Sequence, residues 1–251
     1  MAFDVTGGAY DRFMGRYSRH LAPQLADLAG VRAGPRVLDV GSGPGALTAE
    51  LVERLGEDAV AAVEPSAKFV AALRERLPGV AAQQAAAEAL PFGDGEFDAA
   101  LAQLVVHFMA DPVAGLREMA RVTRPGGVVA ACVWDHAGER SPLAVFWRAA
   151  RELDPGARDE SKLAGAHEGH LEQLFRQAGL GDVEGSVVEA PFEHASFEEW
   201  WEPFTLGVGP AGEYVAALGE DERAALRERC RELLPHAPRA VAWAARAVVR
   251  D

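Results

Sequence analysis

The sequence predicts an α/β fold with a doubly wound, mostly parallel sheet. Strand-length apolar segments alternate with helical patterns through the first half of the chain, as they do where helices connect parallel strands. The strand segments are apolar at nearly every position, which is typical of strands covered by helices on both faces. Because such crossovers have a fixed hand, helices are expected on both sides of the sheet.

The first strand, helix and strand lie between residues 36 and 64. RVLDVG (36–41) and AVAAVE (59–64) are strand-like, and ALTAELVERLG (46–56) has its leucines on one helical face. A second helix is expected to begin at Ser66, whose hydroxyl can cap it, and to lead to a short strand at 80–84. These segments predict three neighbouring parallel strands.

Two further strands complete the regular half. FDAALAQLVV (97–106) predicts the fourth strand, and the Asp111-Pro112 pair predicts the start of a helix. That helix is expected to end near RPGG (124–127), before a fifth strand at 128–134. The parallel sheet is therefore predicted to have its carboxyl ends along one edge.

The second half of the chain has a less regular pattern. AVFWRAARELD (144–154) and the stretch 196–234 favour helices, and SVVEAPFE (186–193) favours a strand. AVAWAARAVVR (240–250) is interpreted as the last strand, although its alanines would also suit a helix.

Composition restricts the classes of partner. The chain has 251 residues and a formal charge of −13, with 25 basic residues and no basic cluster. Such a chain repels phosphate backbones and anionic headgroups, so a small molecule is a better partner than nucleic acid or a membrane. The two cysteines lack metal-ligand spacing, and no signal peptide or membrane span is visible. We expect a cytoplasmic protein without a metal.

The loop in VLDVGSGPG (37–45) predicts a nucleotide-like ligand. A strand that ends at a glycine loop opening a helix exposes backbone N–H groups at the carboxyl edge of the sheet, where open α/β sheets bind ligands. The glycines also fit a loose dinucleotide fingerprint, so they do not separate NAD from other adenosine cofactors. Glu64 ends the next strand, where its carboxylate can accept hydrogen bonds from both ribose hydroxyls.

Four motifs in order carry a family resemblance. They are the Asp39-x-Gly41-x-Gly43-x-Gly45 spacing, AVEPS (62–66), AAEALPF (86–92) before the fourth strand, and RVTRPGG (121–127). Together they resemble class I S-adenosylmethionine-dependent methyltransferases, most closely the ubiquinone/menaquinone-biosynthesis type. The resemblance implies a Rossmann-like, mixed seven-stranded sheet whose last strand is antiparallel.

The resemblance also implies a set of cofactor-binding residues. The glycine loop would contact the methionine moiety, Glu64 the ribose, the segment around Ala87 the adenine, and the end of the fourth strand the sulfonium. Ala86 stands where the family often has an acidic residue, so adenine recognition here would rest on backbone groups or water. Tyr10 or Arg16 could meet the methionine carboxylate, or they could belong to an ordinary amphipathic helix. The predicted residues are Tyr10, Arg16, Asp39, Gly41, Ser42, Gly43, Glu64, Pro65, Ala87, Glu88 and Gln103.

Two histidines are candidate catalytic residues. His107 follows the fourth strand and His136 follows the fifth, so both lie on the ligand edge, where an imidazole could deprotonate an acceptor. Packed, hydrogen-bonded histidines are the alternative. The aromatic residues between 197 and 204 have helical spacing, which favours packing over a role in lining an acceptor pocket. The remaining histidines are interpreted as structural or surface residues: His20, His167, His170, His194 and His236.

The predicted organisation is a helical cap, a core and a lid. The core of 31–190 carries an insertion at about 136–167, and the final strand is expected at 240–251. Residues 1–30 form the cap, and residues 191–239 form the helical lid. The predicted function is methyl transfer from S-adenosylmethionine to an oxygen, nitrogen or carbon of a small molecule. Cofactor binding without transfer is one alternative, and an NAD-dependent oxidoreductase is another, although the latter leaves AEALPF and RVTRPGG unexplained.

Overall fold

A computed structural model describes residues 5–234 and 239–250. Within these residues, seven strands form one sheet in the order β3-β2-β1-β4-β5-β7-β6. Strand β7 is antiparallel to both of its neighbours, and every other pairing is parallel. The doubly wound, mixed sheet expected from the sequence is thus confirmed. The strands are β1 (Val37–Val40), β2 (Val60–Glu64), β3 (Ala81–Gln84), β4 (Phe97–Gln103), β5 (Thr123–Trp134), β6 (Glu184–Pro191) and β7 (Arg239–Val248).

Helices cover both faces of the sheet. Side chains alternate along β1, so that Val37 belongs to one buried cluster and Leu38 to the other. Helices α5 and α7 pack on the Leu38 side, and the other long helices pack on the Val37 side. The described helices are α1 (Gly7–Tyr10), α2 (Arg16–Leu28), α3 (Ala46–Leu55), α4 (Ala67–Arg76), α5 (Pro112–Val122), α6 (Ala144–Leu153), α7 (His170–Gln177), α8 (Phe197–Trp201), α9 (Gly209–Ala217) and α10 (Glu220–Leu233).

Side-chain caps are present at two predicted helix starts, and the cap at Ser66 was itself predicted. The Ser66 side chain accepts a hydrogen bond from the Phe69 backbone N–H at the start of α4. The Asp111 carboxylate accepts from the Ala114 N–H at 3.0 Å, with Pro112 in the first turn of α5. Both side chains satisfy N–H groups that a helix leaves unpaired.

The fourth strand is shorter than predicted. It ends at Gln103, because Leu104 adopts a left-handed backbone conformation with φ of 59°. A short 3-10 turn, Val106–Phe108, then follows. A positive φ is uncommon for a branched residue such as leucine and is found most often at functional sites. The turn redirects the chain and buries His107 at the sheet edge.

Strand β7 confirms the interpretation of the alanine-rich C-terminal segment. It pairs with β5 on one side and β6 on the other, so it lies inside the sheet. Small side chains suit this position because helices pack closely on both of its faces. His236 lies outside the described residues.

Two absences apply to the part of the chain that the structure describes. None of its helices is both long and apolar enough to cross a bilayer. Its His, Cys, Asp and Glu side chains form no group of three or more that could hold a metal ion.

Cys132 and Cys230 are both buried, and burial raises the pKa of each thiol to about 12.

Candidate active site

The glycine loop has a backbone that requires glycine. Gly41, Gly43 and Gly45 have φ values of 70°, 54° and 100°, a region that L-residues with a side chain rarely adopt. A Cβ on Gly41 would overlap the side chain of Val105. A Cβ on Gly43 would meet only the Tyr10 ring, at 3.9 Å. The loop is therefore tightly packed at its start, and at Gly43 it is covered by the Tyr10 ring alone.

Glu64 joins the loop to the end of β2. One carboxylate oxygen accepts a hydrogen bond from the Gly43 N–H at 2.9 Å, and the other accepts from the Ser66 N–H at 2.9 Å. Burial raises the pKa of this carboxyl, and the two N–H donors act in the opposite direction. The structure thus places Glu64 and Gly43 in direct contact.

Asp39 fastens the loop to the helix that follows it. Its side chain is 1% exposed, and one oxygen accepts a hydrogen bond from the Thr48 hydroxyl at 2.6 Å. The other oxygen has no partner among the described residues. Burial raises the pKa of this carboxyl to about 7. Ser42 is also buried, and its hydroxyl donates to the Gly43 carbonyl at 3.3 Å.

The predicted adenine segment lies beside the same edge. Pro65 is exposed after β2, and its carbonyl accepts a hydrogen bond from Gln84 Nε2 at 3.0 Å. Ala87 and Glu88 are half-buried, and Glu88 accepts from the Asp111 N–H at 3.2 Å. The chain thus brings the ends of β2 and β3 together with the start of α5 beside the loop.

Gln103 marks the end of β4 next to the N-terminal helix. Its amide nitrogen donates to the Ser18 carbonyl at 3.1 Å, and its amide oxygen is buried without a partner in the described residues. A buried amide oxygen without a donor is costly in a folded protein. This oxygen is therefore unsatisfied within the part of the chain that the structure describes.

Tyr10 and Arg16 lie in different environments. The Tyr10 ring contacts Phe69 edge-on at 5.3 Å and lies over Gly43, and burial raises the pKa of its hydroxyl. Arg16 instead donates to His194 Nδ1 at 2.9 Å and lies 3.5 Å from the Glu199 carboxylate. The structure brings Tyr10 to the glycine loop and places Arg16 against His194 and Glu199.

A narrow pocket with a cavity volume of about 30 Å³ lies beside Tyr10. It contains both candidate histidines, whose rings are 5.8 Å apart. His107 is 6% exposed and His136 is 7% exposed. Burial lowers the pKa of His136 to about 4 and that of His107 well below its ordinary value, so both rings are neutral at pH 7. The lining residues are Tyr10, Phe13, Met14, Leu104, His107, Phe108, Trp134, His136, Leu143, Glu160, Gly209, Pro210 and Ala211.

Glu160 is a pocket residue that sequence reasoning missed. Its side chain is 3% exposed, and its Oε2 accepts a hydrogen bond from Trp147 Nε1 at 2.7 Å. Burial raises the pKa of this carboxyl to about 7. Glu160 lies in a polar loop without a motif, and only the fold brings it to His136. The sequence therefore contains no local signal for it.

The lid aromatics pack rather than line this pocket. Phe204 stacks on Phe146 at 4.6 Å and meets Phe13 edge-on at 5.4 Å. Trp200 and Phe204 border a separate, narrower cavity next to Tyr17. This arrangement is consistent with the sequence-based expectation that the aromatic residues between 197 and 204 pack rather than line a pocket.

Comparisons with known proteins find relatives of the segment that contains the glycine loop. Residues 38–131 match the family described as "Methyltransferase domain". An uncharacterized methyltransferase of Mycobacterium bovis is 39% identical over 140 residues, covering 56% of this chain and 54% of that protein. A demethylmenaquinone methyltransferase of Beutenbergia cavernae is 38% identical over 125 residues, covering 50% of each chain. The chain thus spans about half the length of these curated relatives.

A solved structure extends the likeness in fold beyond the matched segment. It is a phosphoethanolamine N-methyltransferase of Haemonchus contortus, described in complex with phosphomonomethylethanolamine and S-adenosylhomocysteine. The TM-score is 0.60 at 16% identity, over 97% of this chain and 56% of that one. At this identity the likeness concerns the fold alone. Residues 38–131, which contain the glycine loop and Glu64, are thus similar in sequence to the methyltransferase domain family.

Proposed function

We propose that this protein transfers a methyl group from S-adenosylmethionine to a small-molecule acceptor. The observation that carries the proposal is the junction of two sites at Tyr10. On one side, its ring lies over Gly43, whose N–H is held by Glu64. On the other, it lines the pocket that contains His107 and His136. A cofactor on the loop and an acceptor in the pocket would therefore be neighbours.

The residues present fit this cofactor. Only the Tyr10 ring covers Gly43, so a ligand could approach this backbone if the ring moved, and the Glu64 carboxylate can accept hydrogen bonds from ribose hydroxyls. The buried Gln103 oxygen lacks a donor among the described residues, so a polar ligand group would satisfy it. Arg16 donates to His194 and would have to leave this partner to reach the cofactor. The residues proposed to hold the cofactor are Tyr10, Asp39, Gly41, Ser42, Gly43, Glu64, Pro65, Ala87, Glu88 and Gln103.

Positioning is the main contribution that the chain makes to such a reaction. The sulfonium supplies the methyl group: an acceptor lone pair forms the new bond to carbon, and sulfur keeps the electron pair of the broken bond. Holding two reactants in line can contribute about 7 to 11 kcal/mol. Leu104, Phe108 and Trp134 form apolar walls of the pocket, which would limit the access of water to the reacting atoms. His107 and His136, both neutral, would orient the acceptor, since their burial disfavours the imidazolium that a general base must become.

The partner class follows from charge. The formal charge of −13 supports a small-molecule acceptor and opposes nucleic acid or an anionic membrane surface. We propose the cytoplasm as the location.

The direct test uses S-adenosylmethionine with a labelled methyl group and pools of candidate small molecules. Mass spectrometry is expected to find a labelled product together with S-adenosylhomocysteine. A matched reaction with Glu64→Gln should form less of both, because it retains the fold and loses a charged acceptor. Binding of the cofactor without product from any pool would favour the non-transferring alternative, and binding of NAD instead would favour an oxidoreductase.

A further inference from the structure

The acceptor pocket has an acidic wall and no basic counterpart. Glu160 is its one carboxylate among the described lining residues, and those residues include no Lys or Arg. Asp159, next to Glu160 in sequence, pairs with Arg151. No ion pair to Glu160 occurs within residues 5–234 and 239–250, where Trp147 supplies its side-chain hydrogen bond.

A buried carboxyl without a cation is costly. Moving an ionised carboxylate out of water costs several kcal/mol unless a charge or donors compensate it. One neutral N–H from Trp147 compensates in part, and burial accordingly raises the pKa of this carboxyl to about 7. The neutral histidines add no positive charge. A cation that enters the pocket would remove this cost, whereas an anion would add to it.

We infer that the acceptor is an amine with an apolar body, and that Glu160 binds its ammonium group. This inference rests on the proposed methyl transfer and assigns the methylated atom to nitrogen. Two features of the pocket support it besides the carboxylate. Its remaining walls are mostly apolar and aromatic, as a hydrocarbon or aromatic body requires. Tyr10, Phe108 and Trp134 also present ring systems that attract cations.

Glu160 would also serve the chemistry of an amine. An ammonium ion has no lone pair, so it must lose a proton before its nitrogen can attack the methyl carbon. The Glu160 carboxylate takes that proton and becomes the neutral acid. After transfer the nitrogen is again cationic, the product leaves as an ammonium ion, and Glu160 releases its proton to solvent. A carboxyl that titrates near neutrality is suited to this exchange.

Three probes of the same size separate charge from shape. Phenethylamine, 2-phenylethanol and phenylacetate are cationic, neutral and anionic at pH 7.5, and each is titrated by calorimetry into the protein with and without S-adenosylhomocysteine. The amine is expected to bind at least about tenfold more tightly than the alcohol, and the carboxylate most weakly. This ranking is measured on the unmodified protein, so it does not depend on whether any substituted protein folds.

Glu160→Gln isolates the carboxylate. The amide oxygen can still accept from Trp147, so the pocket keeps its shape. The preference for amine over alcohol should fall at least about tenfold, while alcohol binding changes by less than about twofold. Glu168→Gln, which removes an exposed carboxylate from the same loop, should leave the preference unchanged.

Two results would overturn the inference. One is phenylacetate binding as tightly as phenethylamine, or no measurable amine binding at all. The other is an unchanged preference in Glu160→Gln, which would limit Glu160 to holding Trp147. The proposed function fails separately, if neither S-adenosylmethionine nor S-adenosylhomocysteine binds. The amine titrations without S-adenosylhomocysteine are then still read by the same criteria.

Discussion

Substitution of Glu64 by glutamine tests the cofactor site at its most constrained residue. Each oxygen of the carboxylate accepts one backbone N–H, from Gly43 and from Ser66, both at 2.9 Å. Glutamine keeps one acceptor oxygen and turns an NH₂ group toward the other donor. The variant therefore loses one charge-assisted hydrogen bond in the loop and the negative charge that a ribose would meet.

The expected loss of affinity follows from the loss of the charge that would strengthen the hydrogen bonds from a ribose. A hydrogen bond to a charged group contributes about 1.5 to 3 kcal/mol. The dissociation constant of S-adenosylhomocysteine should accordingly rise roughly 10- to 150-fold. Isothermal titration calorimetry measures it, with a thermal melt to verify that the variant is folded.

Glu53→Gln is the matched control for this experiment. It removes a carboxylate from the exposed face of α3, outside the loop, and should leave the dissociation constant unchanged. If folded Glu64→Gln binds S-adenosylhomocysteine within about twofold of the unmodified chain, Glu64 does not hold the cofactor and the assignment of this edge is refuted.

Three further predictions concern the lid and the pocket. His194→Ala removes the side-chain contacts to Arg16 and Tyr17, at 2.9 and 3.1 Å. The amide hydrogens of residues 7–28 should then exchange faster, and the free energy of unfolding should fall by about 1 to 3 kcal/mol. Equal exchange rates in the variant and the unmodified chain would contradict the role of these contacts. His107→Ala should lower the melting temperature through the cavity it leaves, while the affinity for S-adenosylhomocysteine stays within about twofold; a large loss of affinity would place His107 in the cofactor site. As pH rises from 4 to 8, the free energy of unfolding of Glu160→Gln should increase relative to that of the unmodified chain by up to about 3 kcal/mol. Chemical denaturation that gives the same difference at every pH would contradict the raised pKa of the Glu160 carboxyl.

The sign of the last prediction follows from the pKa of Glu160. Burial raises it from the ordinary 4.5 to about 7, with Trp147 acting against the shift and Asp159 with it. Below the ordinary value both folded and unfolded chains hold the proton, and stability is complete. As pH rises toward 7, the unfolded chain ionises first and the folded state loses stability. His136 stays neutral above about pH 4 and does not offset the loss.

The sheet and the cofactor edge could be predicted because their signals are local in sequence. A strand that is apolar on both faces, a glycine loop and a carboxylate at the next strand end all lie within 37–64. The left-handed turn at Leu104 could not be predicted, since no glycine or asparagine marks it. Tertiary contacts impose it where β4 ends.

The pocket could be predicted only in part because it is assembled from distant segments. His107 and His136 follow strands that share one edge, and this rule brought them together correctly. Glu160 reaches the pocket through a loop whose course depends on packing against Trp147. Arg16 had the right type of side chain for a carboxylate, but its partner His194 lies 178 residues away. Only the folded lid determines that pairing.

The central claim is that the edge formed by the glycine loop and Glu64 binds S-adenosylmethionine. Calorimetric titration of the unmodified chain with S-adenosylmethionine, S-adenosylhomocysteine and NAD tests it most directly. We predict dissociation constants in the micromolar range for the first two ligands and no measurable binding of NAD. Binding of NAD alone, or of none of the three, would contradict the claim.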